Sequence, residues 1–367
     1  MRAGAGADHD IPRDIATAGR RHVPSGAPMS TTLWDTTGTD VVNALIAERR
    51  NSGAVASGAA LSLVVVVDEK RVPEAEEAAT TAAAAHPCRL LIAVRRKLEA
   101  DDRLDAEVSV GGRLGPTEAV VMRMYGRLTL HAESVVLPLL APDAPVVTWW
   151  VGEPPDKIGY DPLGVLAGRR VTDSAAAADP SAALRVRAED YAPGDTDLAW
   201  TRTTPWRSLL ASAFDATPGG DRPLAQNVRV ASDDGNPSAE LLAGWVRARL
   251  GVEVTVESSR GPGVTEVAVR CSDGTEFSVT RPDGRMATLT RTGQPDRTLP
   301  LPRRGLGDLL AEELRRLEAD AVYAEALAAA TGTTESLATR PAQRTHIWRD
   351  PAEQAAAEAQ STRAGTS

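Results

Sequence analysis

Leu61-Ser62-Leu63-Val64-Val65-Val66-Val67 is the stretch on which the fold turns. An unbroken apolar run, rather than an alternating one, marks a strand buried on both faces, and so a parallel sheet covered by helices on both sides. Asp68 and Glu69 end it. Pro73 to Ala85 is acidic and alanine-rich, with proline in the first turn, where its missing N–H is no loss. It must stop before Pro87, because the residue preceding a proline avoids the helical region. Leu90-Leu-Ile-Ala-Val94 is a second buried strand. Strand, helix, strand is the βαβ unit of an open α/β sheet.

The pattern extends in both directions. Thr39 to Arg50 places Val41, Val42, Leu45 and Ile46 on one helical stripe. Asp105–Val110 and Ala119–Tyr125 read as strands joined by the glycine-rich turn 111–116, and His131–Leu140 as a helix interrupted at Pro138. Pro145-Val-Val-Thr-Trp-Trp150 reads as another central strand; adjacent tryptophans point to opposite faces, so both should be covered. Leu184–Val186 and Asp197–Ala199 are expected as short strands or loop. Thr204-Pro205 opens a helix carrying Trp206, Leu209, Leu210 and Phe214.

Thr217-Pro-Gly-Gly-Asp-Arg-Pro223 is loop chemistry and the expected domain boundary. Beyond it come an amphipathic helix, Ser238–Leu250, and alternating strands. Val252, Val254 and Val256 should share a buried face, as should Val267, Val269 and Cys271, continued by Phe277 and Val279. Asp273-Gly274 and Asp283-Gly284 are hairpin signals. Gly307–Ala330 is expected as one helix, with Glu312 and Arg316 spaced to pair. The expected architecture is therefore α/β: an N-terminal Rossmann-like open sheet domain over 34–216, a linker at 217–223, and a smaller α+β domain with an antiparallel meander over 224–330. Residues 1–33 read as a disordered extension, with Met29 a candidate start, and 331–367 as a disordered tail with a local helix at Pro351–Gln360.

Composition narrows the function. A net charge of −9 argues against general nucleic-acid binding, which needs a basic face. Two cysteines, Cys88 and Cys271, give neither a disulfide framework nor a cysteine zinc site, and fit a reducing, cytoplasmic setting. No run reaches the ~18 apolar residues of a membrane-spanning helix, and the first 28 residues lack the apolar core of a secretory signal. The five histidines are scattered and suggest no metal site.

A Rossmann-like sheet raises the question of a dinucleotide. Such a site needs glycines after the first strand, so that backbone amides can face phosphate. Here Asp68-Glu-Lys-Arg71 follows instead, and two carboxylates would repel phosphate. Gly111, Gly112 and Gly115 lead into a strand, not a helix, and so read as a turn. There is no P-loop and no Gly-x-Ser-x-Gly elbow. His86-Pro87-Cys88-Arg89 is the one local cluster that could be reactive, against the plainer reading of Cys88 as buried packing. The expectation is no catalytic residues and no cofactor. A nucleotide- or sugar-phosphate-binding enzyme or sensor using the α/β domain is the alternative.

Several segments in order resemble the OpcA family of glucose-6-phosphate dehydrogenase assembly proteins. They include Ala85-His-Pro-Cys-Arg89, Arg103-Leu-Asp-Ala-Glu107 and the long stretch His131 to Trp150. Pro162-Leu-Gly164, Tyr191 to Arg202 and Pro205-Trp-Arg207 follow, then Gly293-Gln-Pro-Asp-Arg297, Leu301-Pro-Arg-Arg304 and Leu310 to Leu317. The resemblance spans about Trp34 to Ala330. It implies a non-catalytic chaperone or allosteric activator that binds glucose-6-phosphate dehydrogenase, promotes its active oligomer and supports NADPH production in the oxidative pentose phosphate pathway. In photosynthetic relatives the effect is redox-controlled through cysteines, which makes Cys88 and Cys271 the redox candidates here. Ligand crevices in open α/β folds lie at the carboxyl ends of the strands. The interface candidates are therefore Trp149, Trp150 and Glu153 in and after the last long strand, and Trp200, Arg202 and Trp206 in the following segment. Arg303 and Arg304 are candidate rim contacts. The competing reading of the four tryptophans is core packing.

Overall fold

The computed structural model describes residues 30–52, 59–111, 118–215 and 224–342. Among these, fourteen strands form two sheets, of eight and six strands, with ten helices around them; the fold is mixed α/β.

The first sheet holds β1 (Ser30–Leu33), β2 (Leu61–Asp68), β3 (Cys88–Arg95), β4 (Arg103–Val110), β5 (Glu118–Tyr125), β6 (Val146–Val151), β7 (Arg169–Thr172) and β8 (Asp195–Asp197). Their order is β1-β4-β5-β3-β2-β6-β7-β8, so the chain winds outward from β2 in both directions. Strands β5 to β8 along this order are parallel, and β4 and β1 are added antiparallel at one edge. Helices α1 (Gly38–Ser52), α2 (Val72–Ala85), α3 (Ala132–Val136), α4 (Pro162–Val165) and α5 (Pro180–Asp190) lie between them in the chain, and α6 (Leu198–Thr201) and α7 (Thr204–Asp215) follow β8. The valine run is buried on both faces, as its composition requires. Leu63, Val65 and Val67 pack with Trp149 against α2, and Val64 and Val66 pack with Trp150 against α1 and α3.

The second sheet holds β9 (Ala225–Ser232), β10 (Val254–Ser258), β11 (Val264–Cys271), β12 (Glu276–Thr280), β13 (Met286–Arg291) and β14 (Arg297–Pro300), in the order β10-β9-β11-β12-β13-β14. Strands β9 and β10 are parallel, joined through α8 (Pro237–Leu250), and each strand from β11 to β14 runs antiparallel to the next. Gly274 and Gly284 adopt φ of +83° and +72°, the left-handed turn conformation that the two Asp-Gly pairs supply. Helices α9 (Leu306–Leu314) and α10 (Ala321–Thr331) close the chain.

The two layers interlock around the expected boundary at 217–223. Before it, α7 inserts Trp206, Leu210 and Ala213 into the core of the second sheet. After it, α9 returns to the first sheet and buries Leu309, Leu310 and Leu314 against the alanines of α2. The approach is close: a Cβ on Gly307 would lie 2.5 Å from Thr81 Cβ. Burial of three leucines is worth about 1.5–3 kcal/mol each. The linker residues themselves, and Met29, Gly112, Gly115 and the expected helix at 351–360, lie outside the described residues.

Several expectations change. Ser30–Leu33 is not extension but the edge strand β1, paired with β4. The chain after 331 keeps its structure to residue 342: Leu337 is buried beside Trp200 and Tyr323, and Arg340 donates to the carbonyls of Ala188, Glu189 and Tyr191. Leu184–Val186 lies within α5, capped by Asp179 ahead of Pro180. The expected helix over 307–330 breaks in two, because Asp320 caps a new start by accepting from the amides of Val322 and Tyr323. Glu312 then pairs with Arg304 rather than Arg316. Val256, on the edge strand β10, is exposed, whereas Val254 is buried.

Candidate functional site

Strand order reverses at β2 and β6, so a crevice is expected at their carboxyl ends. Ion-paired side chains line it. The short turn after β2, Glu69-Lys-Arg71, directs Arg71 over Gly152, where the backbone has φ of +107° and a Cβ would stand 2.8 Å from Arg71 Nη1. Arg71 donates to both oxygens of Glu74, at 2.9 and 3.1 Å, and this bonding raises its pKa. Glu69 is held by Arg96 at 2.9 Å and Arg123 at 3.4 Å. Where a pyrophosphate would approach a helix N-terminus, this chain has a set of ion pairs.

From Arg71 a cleft of about 430 Å³ runs between the two sheets. Asp173, just beyond β7, forms one wall and accepts a two-pronged bond from Arg202, with both distances 2.7 Å. Burial works against the charge on Arg202, but its bonds to Asp173 and the nearby Asp197 leave its pKa raised. Beneath, Asp197 is fully buried and accepts from Thr172 Oγ1, Ser174 N, Ser174 Oγ and Ala199 N. Burial first, and then Asp173, push its pKa up against these bonds.

The turn after β9 forms the other wall. Asn236 caps α8 by accepting from the amides of Ser238 and Ala239, at 2.8 and 3.2 Å, and donates to Asp233 at 2.6 Å. Trp206 and Arg281 line the base, with the guanidinium 5.0 Å from the ring centroid. Arg281 donates to the carbonyls of Val264 at 2.9 Å and Leu301 at 3.1 Å. Pro302, Arg303 and Arg304 complete the lining, and Arg304 is bonded to Glu312 and to the carbonyl of Thr201. A second cleft of about 330 Å³ shares Asp173 and is lined by Glu153, Pro154 and α5.

The structure gathers Arg202, Trp206, Arg303 and Arg304 around the first cleft and Glu153 at the second. It does not present tryptophan anchors. Trp149, Trp150, Trp200 and Trp206 are each at most 2 % exposed, because each completes a hydrophobic cluster. Arg202 is held inward by Asp173, and Arg207 stacks 3.6 Å above the Trp200 ring, where burial lowers its pKa to about 10. Arg303 and Glu153 are exposed. The cysteines are far from reactive thiols: both are buried, in different clusters, and unbonded to each other. Burial pushes Cys88 up to about 12 and raises Cys271. Sequence reasoning missed Arg71, Asp173, Asn236 and Arg281 as neighbours. Asn236-Pro237 did carry a helix-start signal; the others stand far apart in the chain with no common spacing.

Among the described residues, no helix is long and apolar enough to cross a membrane, and no group of three or more His, Cys, Asp or Glu is placed to hold a metal ion. Comparison with known families adds the decisive observation. Two OpcA family models match consecutive stretches of the chain. One describes the N-terminal domain of the glucose-6-phosphate dehydrogenase subunit and matches residues 79–189; the other describes its C-terminal domain and matches residues 193–327.

The chain belongs to the OpcA family. A protein of Synechocystis sp. named OpcA, and assigned by that name to the OxPP cycle, is 28% identical over 198 residues. That match covers 50% of this OpcA-family chain and 41% of the relative, so the chain spans under half the length of that protein. Among solved structures, an oxidoreductase from Sinorhizobium meliloti aligns at a TM-score of 0.37 and 11% identity, covering 73% of this chain and 86% of its own. A dehydrogenase from Chromobacterium violaceum aligns at 0.38 and 12%, covering 82% and 99%. Both likenesses are too slight to bear on what an OpcA-family chain does.

Proposed function

We propose that this protein is a non-catalytic assembly factor and allosteric activator of glucose-6-phosphate dehydrogenase, acting in the cytoplasm and supporting NADPH production in the oxidative pentose phosphate pathway. The observation that carries this reading is the pair of matches, in order, to the N- and C-terminal domains of the family. The charge at the crevice supports it: Arg71, Glu74 and Glu69 form ion pairs at the place where a Rossmann-like sheet would otherwise grip a dinucleotide. In this reading the first layer is a Rossmann-like open sheet that has given up its cofactor, and the second is an α+β layer built on an antiparallel meander.

An activator must bind the active state of its target better than the inactive one. The exposed residues flanking the two clefts, Arg303 and Glu153, are the proposed contacts, since the tryptophans face inward. The test is a kinetic titration of the same organism's dehydrogenase with this protein, with size-exclusion of the mixture. A fall in KM or a rise in kcat together with co-elution is the expected result. No rate change and no co-elution at micromolar protein would overturn it.

A further inference from the structure

The cleft between the sheets holds two guanidiniums that no carboxylate pairs directly. Arg71 is matched by Glu74, Arg202 by Asp173 and Arg304 by Glu312. Arg281 and Arg303 have no such match: among the described residues, no carboxylate lies within ion-pair distance of either. Arg281 is only 5 % exposed. Its two terminal nitrogens reach backbone carbonyls, and its Nε has no partner. Buried charges are normally paired, because removing an ion from water is costly unless a counter-charge takes the place of the solvent. Burial first, and then the neighbouring Arg303, weaken the hold of Arg281 on its proton, with Asp283 offsetting them only in part.

We propose that this cleft is an oxyanion site, with Arg281 and Arg303 supplying the counter-charge, and that its ligand is a small molecule bearing a phosphate monoester. Three further features suit such a ligand. The first turn of the fourteen-residue helix α8 lines the cleft, so the positive end of its dipole lies there. The volume of about 430 Å³ lies within the roughly 300–1,000 Å³ of small-molecule sites. A phosphate monoester, with a charge of about −1.5 to −2 near neutral pH, matches two guanidiniums where a carboxylate would match one. Asp233, bonded to Asn236, and Asp234 are both exposed at the cleft and are the two acids that a bound anion must tolerate.

The inference is independent of the dehydrogenase reading, and its test uses the full-length protein alone. Thermal unfolding is followed while inorganic phosphate replaces chloride at constant ionic strength, with acetate as the carboxylate arm. The expected result is a saturable rise in Tm with phosphate and none with acetate. Arg303→Glu, at an exposed position, should abolish the phosphate shift and leave the unliganded Tm within a few degrees of wild type. Arg270→Glu, on the exposed face of β11, should keep the shift. Arg281→Lys should weaken binding at least tenfold if it folds; the Arg303 variant decides the matter if it does not. A linear, unsaturable rise, an equal response to acetate, or an undiminished shift in Arg303→Glu would each overturn the proposal.

Discussion

Replacing Glu313 by alanine should test whether the two layers form one cooperative unit. Glu313 sits on α9, almost fully buried, and bonds both Arg169 at the start of β7 and Thr201 Oγ1 at 2.6 Å. Arg169 is equally buried and, among the described residues, otherwise reaches only the carbonyl of Glu318. Removing one partner of a buried pair strands the other, a loss of about 3–5 kcal/mol. In a fold of this size each kcal/mol corresponds to about 2–4 °C in Tm, so Glu313→Ala should melt roughly 6–20 °C lower. Urea titration, followed by tryptophan fluorescence and by circular dichroism, is the assay. The two probes should move together, since α9 belongs to the core of one sheet and follows the other in sequence. The double variant Arg169→Met/Glu313→Leu should recover most of the loss, because an apolar pair leaves no charge stranded. A change below about 1 kcal/mol in Glu313→Ala would refute the reasoning, as would two separate transitions in the wild type.

Three more outcomes are expected. Native protein should resist thiol reagents until unfolded, and its effect on the dehydrogenase should be the same under reducing and oxidising conditions; rapid native labelling of Cys88 would contradict its burial. Stability should fall at alkaline pH: Cys88 is raised from 9.0 to about 12 and Tyr191 from 10.0 to about 12, so their contribution is complete below about pH 9 and is lost as pH climbs toward 12. A Cys88→Ala/Tyr191→Phe variant should show a flatter decline over that window in pH-dependent denaturation. Gly244→Ala should destabilise α8 by more than the ~1 kcal/mol that helix propensity would gain, because a Cβ there would stand 2.3 Å from the Ala326 carbonyl oxygen; a higher Tm would count against that packing.

The strands that sequence reveals are those whose burial is encoded locally. The valine run, Leu90–Val94 and the Trp149-Trp150 pair announce two covered faces, and the structure covers both. Strand β7 is hidden because two of its four residues are arginines, neutralised by Glu313 and Asp195 from far along the chain. Its burial is a tertiary fact with no local signature. The same holds for the candidate site. Trp206, Arg202, Arg303 and Arg304 were visible as residue types, yet nothing in their spacing joins them to Arg281 or Asp173. The tryptophans misled as anchors because large aromatics serve cores and interfaces equally well. The exchange of α7 and α9 between layers was illegible, since an amphipathic helix states that it has an apolar face and not which sheet will receive it.

That exchange bears on how the protein is made. The apolar face of α2 leaves the ribosome early, but α9, which covers it, is synthesised more than two hundred residues later. At roughly 5–20 residues per second, the alanine face stays bare for on the order of 10–40 s. A nascent chain in that interval exposes the kind of surface that holdase chaperones recognise. Release of a truncated product before residue 314 would leave that surface permanently open, and a slow, late docking step should limit the appearance of native protein.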